Sequence, residues 1–432
     1  MLLRADACRQ YAEHASAACP MAHTSAYTGI HAITDPIICF FVTLCFISSS
    51  MKKFLASIAV SLLTMTAAVA QTLPAPTIAS KAWLLLDATS NQVIAAKEPT
   101  MSVEPASLTK IMTAYLVFSA LKDKKLNLEQ SINVSVRAWK VDGTSSKMYI
   151  EPNKPVTINE LLYGLIVQSG NDAAIALAEA VAGSEEAFVV QMNREAERMG
   201  LKSTRFANPH GLPSKDNYST AQDLSNLAAR LIIDHPDFYK TYYSTKNFTY
   251  NKISQPNRNR LLWLDPSVDG MKTGHTTAGG YSLVSSANRP NGTGTRRLIS
   301  VVIGTESDQV RAQESLKLLN WGYLNFDTLK LYDKGQSIAT PEVWKGTQAQ
   351  VKIGFDRELY VTLPKGAAAN LKPALERKDP LVAPIALNSK VGTMKMMLDG
   401  KVVAEVPVIA LEQVDQASMF GRAWDSIRLM FK

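Results

Sequence analysis

The order in which strand-like and helix-like segments follow one another is the feature that most constrains the fold of this chain. Strand-like segments lie near both ends of the first 330 residues, and helix-like segments lie between them. The runs 82–87 and 92–96 flank Ala88-Thr89-Ser90-Asn91, a sequence typical of a hairpin. The runs 280–287 and 297–304 predict two adjacent antiparallel strands. This order predicts an α+β fold with a mainly antiparallel sheet, not a repeated βαβ unit.

Capping residues and apolar periodicity place the helices between these strands. Thr157-Ile158-Asn159-Glu160 is a capping box, and Gly183 suits the left-handed residue that ends a helix. One helix should stop before Pro236, because proline lacks the backbone donor that a helix interior needs. These signals predict helices over about 106–121, 157–167, 171–182, 184–200, 221–233 and 307–319.

The character of the sequence changes after about residue 330. Short strand-like runs then alternate with proline and glycine, which predicts a small all-β domain over 331–414. We therefore assign 71–330 to a main domain, 331–414 to this β-rich domain and 415–432 to a terminal helix. The expected strands of the β-rich domain are 349–355, 359–363, 391–398 and 402–407.

A secretory signal peptide is predicted at residues 51–70, MKKFLASIAVSLLTMTAAVA. Lys52 and Lys53 precede a short apolar stretch, and Ala68-Val69-Ala70 matches an A-x-A cleavage signal. Because a signal peptide acts from the start of a chain, we expect residues 1–50 to be an untranslated upstream extension. All four cysteines lie within those residues, and a cysteine-free exported chain suits the bacterial periplasm.

Several chemistries are excluded by composition. Without cysteine after residue 50, the main body has no disulfide scaffold and no thiol nucleophile. Its histidines are His210, His235 and His275, and there is no HExxH motif, so we expect no metal site and no cofactor. The formal net charge is +8, but the sequence has no run rich in Arg and Lys, so nucleic acid is not an expected partner.

The terminal segment 415–432 predicts an amphipathic helix. A helix over 419–432 is about 21 Å long, too short for a hydrocarbon core of about 30 Å, so we expect it to lie in a membrane interface as an anchor. The alternative is a terminal helix docked on the protein. At 100° per residue, an arc of about 140° holds Met419, Phe420, Ala423, Trp424, Ile427, Met430 and Phe431.

Three short motifs carry the candidate chemistry. Ser107 and Lys110 form S-x-x-K, Ser169-Gly170-Asn171 forms S-x-N, and Lys272-Thr273-Gly274 forms K-T-G. Ser107 and Lys110 share a helix face, and a lysine whose pKa is lowered by burial and by nearby cations can act as a base for serine. Taken singly, S-x-x-K fits a helix N-cap and S-x-N fits a helix break at least about as well as a site, whereas a basic edge strand is the less favoured alternative for K-T-G. Their order and context favour a shared site.

With these motifs, the sequence resembles the penicillin-binding, serine-acylating enzymes, and more specifically the low-molecular-mass D-alanyl-D-alanine carboxypeptidases of the bacterial periplasm. The resemblance extends to EPASLTKIMTAY, VQSGNDAAIALAE, NPHGL and VDGMKTGHT. It implies a β-lactamase/transpeptidase-like domain, in which a mainly antiparallel sheet carries helices on both sides and a helical subdomain. A β-rich domain and a C-terminal amphipathic helix follow. It also implies attachment to the outer face of the inner membrane.

The resemblance implies a role for each motif residue. Ser107 would attack the carbonyl between the two terminal D-alanines of a peptidoglycan stem peptide, and Lys110 would receive its proton. Ser169 would relay a proton to the leaving D-alanine, and Asn171 would hold the substrate amide. β-Lactams would mimic the substrate and trap the Ser107 hydroxyl.

The third motif would complete the substrate site. Lys272 and Thr273 would orient the substrate and bind its terminal carboxylate. Gly274 permits close approach of the substrate, and the backbone N–H of His275 would form an oxyanion hole with that of Ser107.

Three further residues outside the motifs are weaker candidates for the site. Ser145 and Ser146 resemble part of the family's active-site loop, although a plain polar turn fits equally well. Arg311 is a candidate carboxylate ligand, but we expect it to be an exposed helix residue.

Rival functions remain open at this point. Rapid β-lactam hydrolysis is disfavoured, because no Glu occurs between Arg198 and Thr305 to activate water. A transpeptidase is disfavoured because the sequence has no large extra domain and no transmembrane helix. A D,D-endopeptidase of the same family and a non-catalytic wall-binding protein are the remaining alternatives.

Overall fold

The computed structural model describes residues 74–141, 145–292 and 294–431. The predicted upstream extension and signal peptide therefore lie outside the described residues. Within those ranges, no helix has the length and apolar character needed to cross a membrane.

The N-terminal part of the described chain contains nine strands and nine α-helices, with a 3₁₀ turn over Ala106–Thr109. The strands are β1 (Ala82–Asp87), β2 (Gln92–Lys97), β3 (Ser131–Asn133), β4 (Pro155–Thr157), β5 (Asn247–Tyr250), β6 (Ile253–Pro256), β7 (Val268–Thr276), β8 (Gly280–Asn291) and β9 (Gly294–Thr305). The helices are α1 (Lys110–Lys122), α2 (Val136–Trp139), α3 (Ile158–Ile166), α4 (Asn171–Ala182), α5 (Glu185–Arg198), α6 (Ala221–Asp234), α7 (Pro236–Tyr243), α8 (Leu261–Leu264) and α9 (Asp308–Asn325).

A five-stranded antiparallel sheet in the order β2-β1-β9-β8-β7 forms the centre of this part. All six residues of β1 are buried, because the sheet is covered on both faces. Alternate residues point to opposite faces of a strand. Accordingly, Leu84 joins a core cluster with Leu227 of α6, whereas Leu85 joins another with Leu319 of α9. The predicted α+β fold with helices on both sides of the sheet is confirmed.

The helices α3, α4 and α5 begin or end where local signals in the sequence predict. Thr157 and Glu160 form the expected capping box at the start of α3. Gly183 ends α4 with φ of +82°, and Ser184 caps α5 through the backbone N–H of Ala187. These caps satisfy backbone groups that a helix terminus leaves unpaired, so the termini could be predicted from sequence.

Two predicted elements differ from the structure, and one helix was not predicted. The helix expected to stop before Pro236 does so, but α7 starts at that proline, whose fixed φ suits the first helical position. α9 continues to Asn325, beyond the predicted end at 319, and its Gly322 lies close to Leu85 and Leu298 of the sheet. The expected strand 349–355 is reduced to two residues, Ile353–Gly354.

The C-terminal part is rich in strands and ends in a helix. Its main sheet has the order β11-β13-β18-β17-β15, and β10 pairs with β14. A 3₁₀ turn spans Ala367–Asn370. The strands are β10 (Phe326–Tyr332), β11 (Ser337–Ala339), β12 (Val343–Trp344), β13 (Ile353–Gly354), β14 (Leu359–Pro364), β15 (Leu371–Arg377), β16 (Leu381–Val382), β17 (Lys390–Leu398) and β18 (Lys401–Ala410), and the helix is α10 (Met419–Leu429).

A buried polar cluster connects the two parts. The fully buried carboxylate of Asp87, at the end of β1, accepts a hydrogen bond from Arg296 Nε at 2.7 Å. It also accepts from the hydroxyls of Thr328 on β10 and Thr362 on β14, at 2.6 and 2.8 Å. A charge inside a protein needs such partners, so this cluster ties the strands of the C-terminal part to the main sheet.

Candidate active site

Ser107 and Lys110 are brought together by the 3₁₀ turn that precedes α1. Side chains three residues apart eclipse one another in a 3₁₀ turn. Lys110 Nζ accordingly lies 3.0 Å from Ser107 Oγ. Ala106, just before the serine, has a φ of +49°, a conformation uncommon for a residue with a side chain. The predicted helix start is therefore a strained turn that presents Ser107 to the lysine.

Lys110 is enclosed by hydrogen-bond acceptors. Its side chain is 1% exposed, and Nζ donates to Asn171 Oδ1 at 2.7 Å and to the backbone carbonyl of His210 at 2.6 Å. Burial, assisted by the positive charge of Arg258 and opposed by Asp172, lowers the pKa of Lys110 to about 7. A substantial fraction of the amine is then uncharged near neutral pH and able to take a proton from Ser107.

The second motif lies at the junction of α3 and α4. Ser169 has a φ of +59° and is 2% exposed, and its Oγ accepts a hydrogen bond from Lys272 Nζ at 2.9 Å. Asn171 opens α4 and accepts from Lys110, while no described residue accepts a hydrogen bond from its amide nitrogen. Asn171 is therefore placed to donate to a ligand in the cleft.

Asp172 is a functional residue that the sequence reasoning missed. Its buried carboxylate accepts hydrogen bonds from the backbone N–H groups of Met148, Tyr149 and Ile150. These bonds hold the segment that follows Ser146. The available signal was an Asp directly after S-x-N at a helix start, but its backbone partners are more than twenty residues away in sequence.

The third motif lies on β7, one of the two edge strands of the sheet. Lys272 and Thr273 are buried, and a Cβ on Gly274 would lie 3.1 Å from the Pro105 carbonyl, so the strand runs close to the turn that carries Ser107. Burial and the neighbouring cations Lys110, Arg258 and Arg311 hold the pKa of Lys272 well below its usual range. An arriving anion would raise that pKa and favour the charged ammonium.

A cleft of about 740 Å³ collects the predicted residues. Within the described ranges, its acidic lining residue is Asp308, which pairs with Arg260 at 3.5 Å. Arg258, Arg260 and Arg311 also line the cleft, so its charge is net positive and suits an anionic group. The predicted residues that line it directly are Ser107, Ser145, Ser146, Ser169, Asn171, Thr273, Gly274, His275 and Arg311.

Arg311 and His275 lie together at one side of the cleft. The expectation that Arg311 is an exposed helix residue is wrong. It is 7% exposed, because it folds under the ring of Tyr281 and points Nη1 at the Gly274 carbonyl. His275 is exposed and packs its ring against Tyr281 at 4.0 Å between centroids. The cluster of Tyr281, His275 and Arg311 forms one wall of the cleft, and nothing local in the sequence indicated it.

No group of three or more His, Cys, Asp or Glu side chains that could hold a metal occurs in the described part of the chain.

Comparisons with known proteins agree with this geometry. Residues 68–307 match the family model described as D-alanyl-D-alanine carboxypeptidase, and residues 326–416 match that of the penicillin-binding protein 5 C-terminal domain. D-alanyl-D-alanine carboxypeptidase DacC of Escherichia coli K12 is 42% identical over 367 residues, which cover 84% of this chain and 90% of that protein.

Solved structures show the same similarity. The crystal structure of penicillin binding protein 5 from Haemophilus influenzae has a TM-score of 0.75 and 40% identity, and the match covers 80% of this chain and all of that one. Penicillin-binding protein D2 from Listeria monocytogenes, in the cefotaxime-bound form, has a TM-score of 0.53 and 27% identity. That match covers 58% of this chain and 99% of its own.

Proposed function

Because the chain belongs to the D-alanyl-D-alanine carboxypeptidase family, we propose that Ser107 forms an acyl-enzyme with peptidoglycan stem peptides ending in D-Ala-D-Ala. The protein is a serine-type carboxypeptidase of cell-wall metabolism. The observation that carries the proposed mechanism is the 3.0 Å contact between Ser107 Oγ and a buried lysine whose pKa is lowered to about 7.

Acylation begins with the proton of the Ser107 hydroxyl, which passes to the uncharged Nζ of Lys110. Oγ then forms a bond to the carbonyl carbon between the two D-alanines. The backbone N–H groups of Ser107 and His275 stabilise the negative charge on the carbonyl oxygen. This arrangement is supported by the close approach of β7 to the 3₁₀ turn.

Release of the terminal D-alanine requires a proton on its nitrogen. Ser169 is suited to deliver it, since its hydroxyl is held by Lys272 at 2.9 Å beside the cleft. The proton that Lys110 took from Ser107 then replaces the one that Ser169 gave up. The C–N bond then breaks, and water later hydrolyses the ester and restores the Ser107 hydroxyl. Asn171 donates its amide N–H to the substrate during these steps.

The positive charge of the cleft suits the terminal carboxylate of the substrate. Thr273 supplies a hydroxyl at the cleft wall, and Lys272 and Arg311 supply positive charge nearby. β-Lactams carry a carboxylate and a reactive amide in a similar arrangement, so we expect them to acylate Ser107. Slow release of these adducts is expected, because the lining carboxylate of Asp308 is already paired with Arg260.

A pentapeptide ending in D-Ala-D-Ala tests this proposal. We expect purified protein to release D-alanine and Ser107→Ala to release none, while the variant keeps its circular dichroism spectrum. Cleavage of cross-linked muropeptides without release of D-alanine would favour a D,D-endopeptidase instead. Failure of both activities, together with failure to bind penicillin, would favour a non-catalytic wall-binding protein.

We further propose that α10 anchors the protein to the membrane surface. The apolar side chains of this helix face solvent, with Phe420 90% and Trp424 64% exposed. Its polar side contacts the β-rich part, where Asp425 accepts the Lys345 N–H at 2.7 Å and the Arg428 guanidinium lies over the Trp344 ring. The helix is thus docked through its polar side, which leaves an apolar surface available for lipid.

Cell fractionation tests the anchor. Truncation after Val414 should move the protein from the membrane fraction to the soluble periplasmic fraction. Phe420→Asp should weaken membrane binding strongly, whereas Ser426→Asp, on the polar side, should have little effect. Equal retention of both variants on membranes would contradict the anchor.

The proposed location is the periplasm, reached by cleavage of the signal peptide at residues 51–70. This proposal is supported by the A-x-A site and by the absence of cysteine from the rest of the sequence. N-terminal sequencing of the exported protein should begin at Gln71. A mature protein that retains residues 1–50 would overturn both the signal peptide and the upstream extension.

A further inference from the structure

We infer that Glu185 and His210 form a positioning pair that holds the backbone carbonyl of His210 against the catalytic amine of Lys110. His210 borders the cleft where the substrate reacts, whereas Glu185 lies behind it and acts indirectly, through His210. The inference rests on the proposed acylation of Ser107 and adds two residues to the machinery behind it.

The loop over 208–212 is fixed at several points. Its His210 carbonyl accepts from Lys110 at 2.6 Å, and its Pro209 carbonyl accepts from the buried Thr113 hydroxyl at 2.6 Å. Gly211 has a φ of +87°, and a Cβ there would lie 1.8 Å from the Ala106 carbonyl oxygen. The loop is therefore pressed against the turn that carries Ser107.

The His210 ring fixes the position of its own carbonyl. Nδ1 accepts the backbone N–H of Leu212 at 3.1 Å, which requires the proton of the neutral ring to be on Nε2. Nε2 lies 3.3 Å from Glu185 Oε1, and both side chains are buried. Burial lowers the pKa of His210, in agreement with a neutral ring that donates to a carboxylate.

Glu185 is held in turn by Arg137. Its second oxygen, Oε2, accepts from Arg137 Nε at 2.9 Å and from Nη2 at 2.7 Å. Glu185 also opens α5, where the helix dipole stabilises a carboxylate. Each oxygen of Glu185 therefore has its own partner, and the carboxylate cannot turn away from His210 without losing one.

The consequence for catalysis follows from the valence of an uncharged amine. A neutral –NH₂ group has two N–H donors and one lone pair. When the two donors point at Asn171 Oδ1 and the His210 carbonyl, the lone pair points at the remaining neighbour, the Ser107 hydroxyl. Loss of either acceptor lets the amine rotate and reduces the fraction of time that it can accept the proton.

Stopped-flow acylation by a fluorescent penicillin separates this role from a structural one. Glu185→Ala should lower the first-order acylation rate by about 10- to 10²-fold, the loss typical of a misplaced catalytic group. The dissociation constant of the noncovalent complex should remain unchanged. Glu185→Gln keeps one acceptor oxygen, so its rate should lie between those of Glu185→Ala and the wild type. The matched control is Glu186→Ala, which removes an exposed neighbour on the same helix and should match the wild type.

Two results would overturn the inference. One is a wild-type acylation rate in Glu185→Ala. The other is a lower rate in Glu185→Ala and Glu185→Gln that is matched by an equal loss of noncovalent affinity for the penicillin. If Glu185→Ala does not fold, Glu185→Gln decides by the same criteria, with a lowered rate and unchanged affinity expected. Failure of the wild type to be acylated would refute the proposed function rather than this inference.

Discussion

The pH dependence of acylation follows from the lowered pKa of Lys110. The pKa falls from 10.5 to about 7, which corresponds to about 5 kcal/mol against the charged form. At pH 7, about half of the amine is then uncharged, whereas an ordinary lysine would be uncharged in about one molecule in 3,000. Enclosure in this site therefore increases the concentration of the working base by about 10³-fold.

The active form of Lys110 is the uncharged one, so the acylation rate should fall as the pH decreases through about 7 and level off above it. Stopped-flow acylation by benzylpenicillin over a pH series measures this directly. Lys110→Arg should abolish acylation at every pH, because a guanidinium stays protonated. A wild-type rate that does not change between about pH 5.5 and about pH 9, or that rises only near pH 10, would refute the reasoning.

Further predictions concern residues that support the site. Asp172→Asn removes the anion that holds three backbone N–H groups and should cost about 1–3 kcal/mol of unfolding free energy, measured by urea titration. It should also move the acid limb of the acylation profile to lower pH, because Asp172 raises the pKa of Lys110; an unmoved limb would contradict this. Gly211→Ala should cost about 1–3 kcal/mol and slow acylation, since its Cβ would overlap the Ala106 carbonyl. Gly200→Ala, at a similar φ with open space around it, is the control, and equal losses would argue against the overlap. Asp87→Asn leaves the buried Arg296 without its counter-charge and should lower stability by about 3–5 kcal/mol while the acylation rate of folded protein is unchanged.

Local signals account for the parts of the fold that could be predicted. The capping box at Thr157, the stop at Gly183 and the cap at Ser184 each act within a few residues, so short sequence windows contain them. The strand β15 lies outside the predicted strands. It contains Pro373, which an edge strand tolerates because one side of such a strand makes no ladder hydrogen bonds.

The candidate site could be predicted where residue types and order carry the chemistry. The contact between Ser107 and Lys110 follows from their spacing, and the approach of Lys272 to Ser169 from the shared-site hypothesis. The roles of Asp172, His210 and Glu185 depend on partners brought close only by the fold. A backbone carbonyl that serves as an acceptor, such as that of His210, leaves no signature in a side-chain pattern.

Peptide mapping of the penicillin adduct tests the central claim most directly. After reaction with benzylpenicillin and digestion, mass spectrometry should find the penicilloyl group on Ser107, and Ser107→Ala should carry no adduct. An adduct on Ser145, Ser146 or Ser169 in the wild type, or an adduct that persists in Ser107→Ala, would contradict the assignment of the nucleophile.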